Sequence, residues 1–205
     1  MIKIGITGSI AAGKTTASMI LSKGRGPLFS ADRVVTKFYK TNKFKKMLAR
    51  EFKIDKNCIL KTTIKKTVLN DKKKFLKLEK IIHPLVRSEM KKFTLLNKRE
   101  TKIFYEIPLL IENKLTKFFD VVIFIKAKKK IRLKRFKKKG ASEELFNFLN
   151  NKQLSDSIKT KFSDHVIVNE KNINILKKDL LSIIRLYAWS IFRYRNNRSF
   201  VQRWT

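Results

Sequence analysis

The clearest chemical signature lies near the start of the chain, where Gly8 to Thr15 match the pattern G-x-x-x-x-G-K-[ST] of a phosphate-binding loop (P-loop) in full. Such a loop exposes unpaired backbone N–H groups at a helix N-terminus, and these groups bind phosphate. Lys14 would contact the β- and γ-phosphates of a nucleotide, and the Thr15 hydroxyl would bind Mg²⁺. The predicted nucleotide phosphate site consists of Gly8, Ser9, Ile10, Ala11, Ala12, Gly13, Lys14, Thr15 and Thr16.

The flanking segments favour this interpretation over a glycine-containing turn with a solvated lysine. Met1 to Thr7 alternates apolar residues with Lys3 and Gly5, as a strand entering such a loop should. The segment after the loop has a helical pattern, with Ala17, Ile20 and Leu21 apolar. A strand, a loop and a helix are the context that a P-loop requires.

A carboxylate follows the second predicted strand, Leu28 to Ser30. Ligands of open parallel sheets bind at the carboxyl ends of the strands, so we expect Asp32 on the same edge as the P-loop. The alternative is that Asp32 only caps a helix beginning near Val34.

Three further strands are predicted at Lys102 to Leu110, Asp120 to Ala127 and His165 to Asn169. The third strand is closed by Pro108, and a long helix is predicted from Ile173 to Arg195. Strands that alternate with helices predict an α/β fold with a five-stranded parallel sheet covered on both faces.

Residues 34–96 form a mostly helical insertion between the second and third strands. Phe44, Leu48 and Phe52 are spaced four apart and are predicted to pack on one helix face. Pro84 is expected in the first turn of a helix, which sets His83 and Arg87 about one turn apart, where they could hold a phosphate. His83 alone would more often be a helix cap or a packed histidine.

The run from Lys128 to Lys139 contains nine basic residues in twelve. A run of this kind is usually the solvated face of a helix. Because it follows a strand of a nucleotide-binding sheet, the alternative is a lid whose cations close over the phosphates.

Composition bounds the class of protein. A chain of 205 residues with 43% hydrophobic residues fits a single domain with its own core. The net charge of +34 suggests a polyanion partner, but its lysines are spread over the chain and accompany many Ile, Asn and Phe, so a codon bias explains it better. One cysteine, Cys58, and a P-loop where a signal peptide would stand predict a cytoplasmic protein, and no apolar run is long enough to span a membrane.

The chain resembles the dephospho-coenzyme A kinases, from Met1 to about Asn169. The P-loop, Ala31-Asp32, the HPLVR segment 83–87 and the IPLLIE segment 107–112 occur in that family's order and approximate spacing. The resemblance implies the fold of P-loop nucleotide kinases, with a helical region that binds coenzyme A and a lid. It implies ATP-dependent phosphorylation of the ribose 3′-hydroxyl of dephospho-coenzyme A, the last step of coenzyme A synthesis, with Mg²⁺.

The resemblance also implies roles for particular residues. The catalytic set would be Asp32 as base, Lys14 and Arg135. Arg132 and Asn169 would join the ATP site, and the acceptor site would contain Asp32, His83, Arg87, Glu106 and Pro108. The chain departs from the family pattern at Ser30, where the family has aspartate, at Glu106, which is one methylene longer, and in the lid, where Lys138-Lys139 and Leu149 replace arginine-containing positions. Lysine does not reproduce a bidentate guanidinium contact, so the loss of arginine from the lid is expected to slow phosphoryl transfer.

The expected organisation is one kinase domain, with a nucleotide-binding core at 1–33 and 102–195, a helical acceptor-binding region at 34–101 and a lid at 128–153. Dephospho-coenzyme A is the expected partner, with no specific nucleic acid, in a monomer or small homo-oligomer. The alternatives are another small-molecule P-loop kinase and a degenerate basic protein that binds nucleotide or nucleic acid.

Overall fold

A single parallel sheet organises the computed structural model, which describes residues 1–54 and 71–201, the side chains of residue 72 and residues 188–201 excepted. The strands lie in the order β2-β3-β1-β4-β5. Their bounds are β1 Ile2–Gly8, β2 Leu28–Ser30, β3 Lys102–Glu106, β4 Val121–Lys126 and β5 His165–Val168. The predicted strands are therefore confirmed, with the third ending before Pro108.

Helices connect the strands and cover the sheet. They are α1 Lys14–Ser22, α2 Ala31–Lys40, α3 Asn42–Phe52, α4 Lys72–Leu96, α5 Lys129–Lys137, α6 Glu143–Asn151, α7 Asp156–Lys161 and α8 Ile173–Val201, with a 3₁₀ turn at Thr116–Phe118. None of the helices in the described part of the chain has the length and apolarity needed to cross a bilayer.

Strand β1 lies at the centre of the sheet, between β3 and β4, and its apolar side chains are buried. Ile4 is paired with Phe104 of β3 and with Val121 of β4, and all three are buried. One face of the sheet packs against α1 and α8 through residues such as Leu21 and Leu180. The other face packs through Tyr105 against Met90 of α4 and the loop that follows β3. The sheet is thus covered on both faces, as the strand pattern predicts.

The helical region has an apolar cluster of its own. Phe44 and Leu48 of α3 are buried, and Phe52, Phe75 and Leu85 pack around them. The prediction that the residues spaced four apart serve packing is confirmed. The predicted region 34–101 also includes residues 55–70, which lie outside the described residues.

Helix α2 begins earlier than the sequence predicts. It starts at Ala31, directly after the extended residue Ser30, and not near Val34. No loop separates β2 from α2, so Asp32 lies in the first turn of the helix and Ser30 occupies the N-cap position.

The prediction that Pro84 starts a helix is wrong. Helix α4 begins at Lys72 and continues through Pro84 to Leu96. Its start is set by Asp71, whose side chain accepts hydrogen bonds from the backbone N–H groups of Lys73 and Lys74 at 2.9 and 3.1 Å. Pro84 removes one backbone donor inside the helix. Its neighbours pack on two apolar clusters, and this packing keeps the helix continuous.

Candidate active site

The P-loop connects β1 to α1 at the carboxyl edge of the sheet, as predicted. Gly13 has the left-handed conformation, with φ of 99°. A Cβ atom at this position would lie 2.2 Å from Nδ2 of Asn169, so only glycine fits. The same Asn169 amide donates to the carbonyl of Ala12 at 2.8 Å. The last turn of the loop is therefore fixed by β5, the strand that ends beside it.

Distant side chains hold the middle of the loop. The N–H of Ile10 donates to Oε1 of Gln153 at 2.9 Å, and its carbonyl accepts from Arg132 at 3.4 Å. The hydroxyl of Ser9 donates to Oδ1 of Asp156 at 2.5 Å. All three partners lie in or after the predicted lid, so the loop is held by the part of the chain that follows β4.

Lys14 and Asp32 form the electrostatic centre of the site. Burial lowers the pKa of Lys14 to about 8, although the carboxylate of Asp32 acts in the opposite direction. The pKa of Asp32 is raised because the walls of the site deprive its carboxylate of water, and the charge of Glu106 adds to this shift while Lys14 opposes it. Nζ of Lys14 donates to the carbonyl of Ser9 at 3.1 Å. A cation and a carboxylate with raised pKa therefore face the same space.

Glu106 is a further carboxylate of the site, and it contacts the first turns of α1. Its Oε1 atom accepts from the hydroxyl of Thr15 at 2.5 Å, and its Oε2 atom accepts from Ser18 at 3.3 Å. These oxygen donors suit Mg²⁺, which binds one or two protein groups together with water and substrate phosphates. Among the described residues no three His, Cys, Asp or Glu side chains cluster as a metal site.

These groups open into a cavity of about 930 Å³. The predicted residues that line it are Ile10, Ala11, Gly13, Lys14, Thr15, Thr16, Asp32, Pro108, Arg135 and Asn169. The structure therefore brings together the P-loop, the proposed base and one lid arginine.

Arg135 of α5 lies on the cavity wall and donates to the carbonyl of Asn169 at 2.9 Å. Lys138 and Lys139 follow it and also line the cavity. Pro108 also lines the cavity, and its carbonyl accepts from the hydroxyl of Thr7 at 3.1 Å. The basic end of α5 thus faces the cavity, as the lid interpretation of the basic run requires.

Other predicted residues do not line the cavity. Arg132 is buried, and its guanidinium donates to the carbonyl of Ala127 at 2.9 Å and to Oδ1 of Asn150 at 2.9 Å, as well as to Ile10. Arg132 thus supports the P-loop through its hydrogen bond to the carbonyl of Ile10. Gly8, Ser9, Ala12 and Glu106 are buried and do not line the cavity either.

His83 and Arg87 lie about one turn apart on α4, as predicted, but outside the lining of the cavity. His83 is half-buried, and burial lowers its pKa, to which the nearby charge of Arg87 contributes. The structure therefore does not place this pair on the wall of the cavity that contains Lys14 and Asp32.

Several cavity residues were not identified from the sequence. Phe75 of α4 and Lys152 lie on its wall, and Nζ of Lys152 lies 5.1 Å from the centre of the Phe75 ring. Asp156, which holds Ser9, was missed as well. Asp156 could have been noticed as one of only 16 acidic residues. No sequence signal distinguishes Lys152 among the many lysines.

A parallel sheet with this strand order, a P-loop after the central strand β1 and a carboxylate after the edge strand β2 define the class of P-loop kinases. The particular family follows from comparison, since the family model for dephospho-CoA kinase matches residues 2–174. This chain belongs to that family. It is 33% identical to the dephospho-CoA kinase of Bartonella henselae over 89% of this chain and 96% of that one.

Solved structures agree with the fold. A crystal structure from Thermus thermophilus is similar with a TM-score of 0.74 and 25% identity, over 90% of this chain and 96% of that one. The dephospho-CoA kinase from Campylobacter jejuni is similar with a TM-score of 0.60 and 24% identity, over 89% of this chain and 95% of that one. The predicted P-loop kinase fold and the predicted family are both confirmed.

Proposed function

We propose that this protein transfers the γ-phosphoryl group of ATP to the ribose 3′-hydroxyl of dephospho-coenzyme A, which gives coenzyme A and ADP. The observation that carries the proposal is the position of Asp32. Its carboxylate shares one cavity with Lys14 and the P-loop, and its pKa is raised by burial. A base must lie beside the phosphate site for an alcohol to accept a phosphoryl group there.

The donor nucleotide would bind through the P-loop. The backbone N–H groups of residues 9–15 and the ammonium group of Lys14 would hold the phosphates. Bound phosphate would compete with the Ser9 carbonyl for Nζ of Lys14. The negative charge of the phosphates would also favour the protonated form of Lys14, whose pKa burial lowers to about 8 in the free protein.

Thr15 and Glu106 would hold Mg²⁺, which neutralises phosphate charge when it is bound. The hydrogen bond between the Thr15 hydroxyl and Glu106 orients both oxygen donors. Glu106 is almost fully buried, so packing restricts the positions that its carboxylate can adopt. We therefore propose that Glu106 binds the metal ion, and not the acceptor as the sequence predicts.

Asp32 would accept the proton of the ribose 3′-hydroxyl while the hydroxyl oxygen forms its bond to the γ-phosphorus. The bond between that phosphorus and the β–γ bridging oxygen breaks, and the electron pair leaves with ADP. Arg135 would neutralise charge on the transferred group, because it extends from α5 into the cavity. Catalysis by this arrangement is positioning and charge neutralisation, as is general for phosphoryl transfer.

The acceptor would lie between the P-loop and α4. Phe75, Pro108 and Leu109 provide an apolar wall there. His83 and Arg87 lie farther along α4, so we assign them to parts of the acceptor that extend beyond the cavity. The reaction would take place in the cytoplasm, in a monomer or a small homo-oligomer.

The test is ADP release from purified protein with Mg-ATP, measured by a coupled assay with and without dephospho-coenzyme A. We expect release that depends on the acceptor, and a product with the mass of coenzyme A. ATP binding without acceptor-dependent release would contradict the proposal. A parallel screen of other hydroxyl acceptors, shikimate and nucleosides among them, would then identify the substrate.

A further inference from the structure

A buried ion pair joins α7 to the loop that follows β3 and has no role in the proposed mechanism. Nζ of Lys159 on α7 is 2.8 Å from Oε1 of Glu112, in the loop that follows β3. Lys159 is fully buried, and the side chain of Glu112 is 13% exposed. A buried pair of this kind contributes little net stability, so its position in the fold needs a different explanation.

Residues 153–159, here called the anchor segment, join this pair to the nucleotide loop. At its start, Gln153 accepts from the N–H of Ile10, and Asp156 accepts from the hydroxyl of Ser9. At its end, Lys159 contacts Glu112. The same Oε1 atom of Glu112 also accepts from the N–H of Leu154 at 3.1 Å. Glu112 therefore holds the anchor segment at two points, and the anchor segment holds the P-loop at two points.

The geometry connects three parts of the site. The anchor segment follows α6 of the lid, contacts the P-loop, and is fastened to the loop that carries Pro108 and Leu109 on the acceptor wall. We propose that Glu112 is a positioning residue, which holds the anchor segment through the N–H of Leu154 so that the P-loop keeps the shape needed to bind nucleotide, while Lys159 balances the buried charge of Glu112. This inference depends on the proposed nucleotide site.

Two double variants separate positioning from stability. Lys159→Met/Glu112→Gln removes both charges and keeps an oxygen that accepts from Leu154. Lys159→Met/Glu112→Leu removes both charges and that oxygen. Because the Leu154 N–H lies at the surface, water replaces the lost acceptor and the two variants should unfold at similar temperatures. They differ chiefly in whether the anchor segment is held.

The measurement is ADP affinity by isothermal titration calorimetry of the full chain, together with the thermal unfolding temperature. We expect the Gln double variant to bind ADP within about threefold of the unmodified protein, and the Leu double variant to bind about tenfold or more weakly, as displaced binding groups do. Equal ADP affinity of the two variants would overturn the proposal and leave the pair as a stability element. Lys161→Met is the matched control, since Lys161 is exposed on the same helix and its loss should change neither quantity.

A second comparison applies if the Leu double variant does not fold. Asp156→Ala and Asp156→Asn are both neutral, but only asparagine keeps an acceptor for Ser9. We expect weaker ADP binding for alanine than for asparagine, and equal affinities would contradict the positioning role. Failure of the unmodified protein to bind ADP would instead contradict the proposed function itself.

Discussion

The P-loop and the contact between the proposed lid, residues 128–153, and α4 are held by different kinds of interaction. Directional hydrogen bonds fix the loop, among them those of Ala12 with Asn169 and of Ile10 with Gln153. The proposed lid meets α4 where the rings of Phe148 and Phe75 pack edge to face, and Nζ of Lys152 lies 5.1 Å from the ring centre of Phe75 and 5.3 Å from that of Phe148. Hydrogen bonds define a geometry narrowly, whereas ring contacts tolerate shifts.

The difference matches the demands of phosphoryl transfer. The donor phosphates must be held within a fraction of an ångström of the reactive position. A lid must open to admit substrates and close to exclude water, so its contacts have to be weak enough to break. If the two regions divide the work in this way, substitutions beside the P-loop should have larger effects than substitutions at the contact with α4.

The largest effect is expected for Asp32→Asn. Loss of a general base lowers the rate by about 10² to 10⁴-fold, so kcat in the ADP-release assay should fall by that factor. ADP affinity, measured by calorimetry at pH 7, should stay within a few-fold because the P-loop is intact. A variant with near-normal kcat would show that Asp32 is not the base.

The next effect is a pH dependence of nucleotide affinity. Burial lowers the pKa of Lys14 to about 8 in the free protein, and bound phosphate would raise it. Above pH 8, the binding of ADP is therefore coupled to the uptake of a proton by Lys14. ADP affinity should therefore be constant below pH 8 and fall by up to about tenfold for each pH unit above it. Calorimetry at pH 7, 8, 9 and 9.5 measures this slope. Lys14→Met should abolish the slope, and a slope that persists in this variant would assign the titration to another group.

The P-loop itself was predictable from the sequence, whereas Asp156, which holds it, and the contact of Lys152 with Phe75 were not. The P-loop is a local motif, and the sequence predicted Gly13, Lys14 and Thr15 because loop, strand and helix are adjacent in the chain. The packing of Phe75 on Lys152 depends on where α4 and α6 meet, which no local pattern encodes. The same limit explains Pro84, since the packing of α4 on two clusters outweighed the local helix-start signal.

A smaller effect is expected at the contact between the lid and α4. Lys152→Met removes the charge that lies over the two rings and keeps much of the side-chain volume. Since a cation–π contact contributes about 0.5–1 kcal/mol, kcat/KM for dephospho-coenzyme A should fall about two- to fivefold, with ADP affinity unchanged. Lys134→Met on the exposed face of α5 is the control. A loss of kcat/KM well above tenfold would mean that Lys152 contacts the substrate directly. The contact would then serve substrate binding, as the P-loop does.

The smallest effect concerns the backbone of the P-loop itself. Ala11 has a φ of 56°, a left-handed conformation that costs a residue with a Cβ atom about 1–2 kcal/mol. Ala11→Gly removes this strain, but glycine gives the unfolded chain extra entropy of about 0.5–1 kcal/mol. The free energy of unfolding, measured in urea, should therefore rise by about 0 to 1.5 kcal/mol.

Gly13→Ala is the matched opposite of this change. It places a Cβ atom in left-handed backbone and against the amide of Asn169, so it should lower both stability and ADP affinity. If the loop is rigid because its partners hold it, Ala11→Gly leaves ADP affinity unchanged, since Gln153 and Asn169 still fix the residues on either side. A weaker ADP affinity in Ala11→Gly would show instead that the methyl group of Ala11 stiffens the loop. The hydrogen bonds alone would then not account for the difference between the P-loop and the lid.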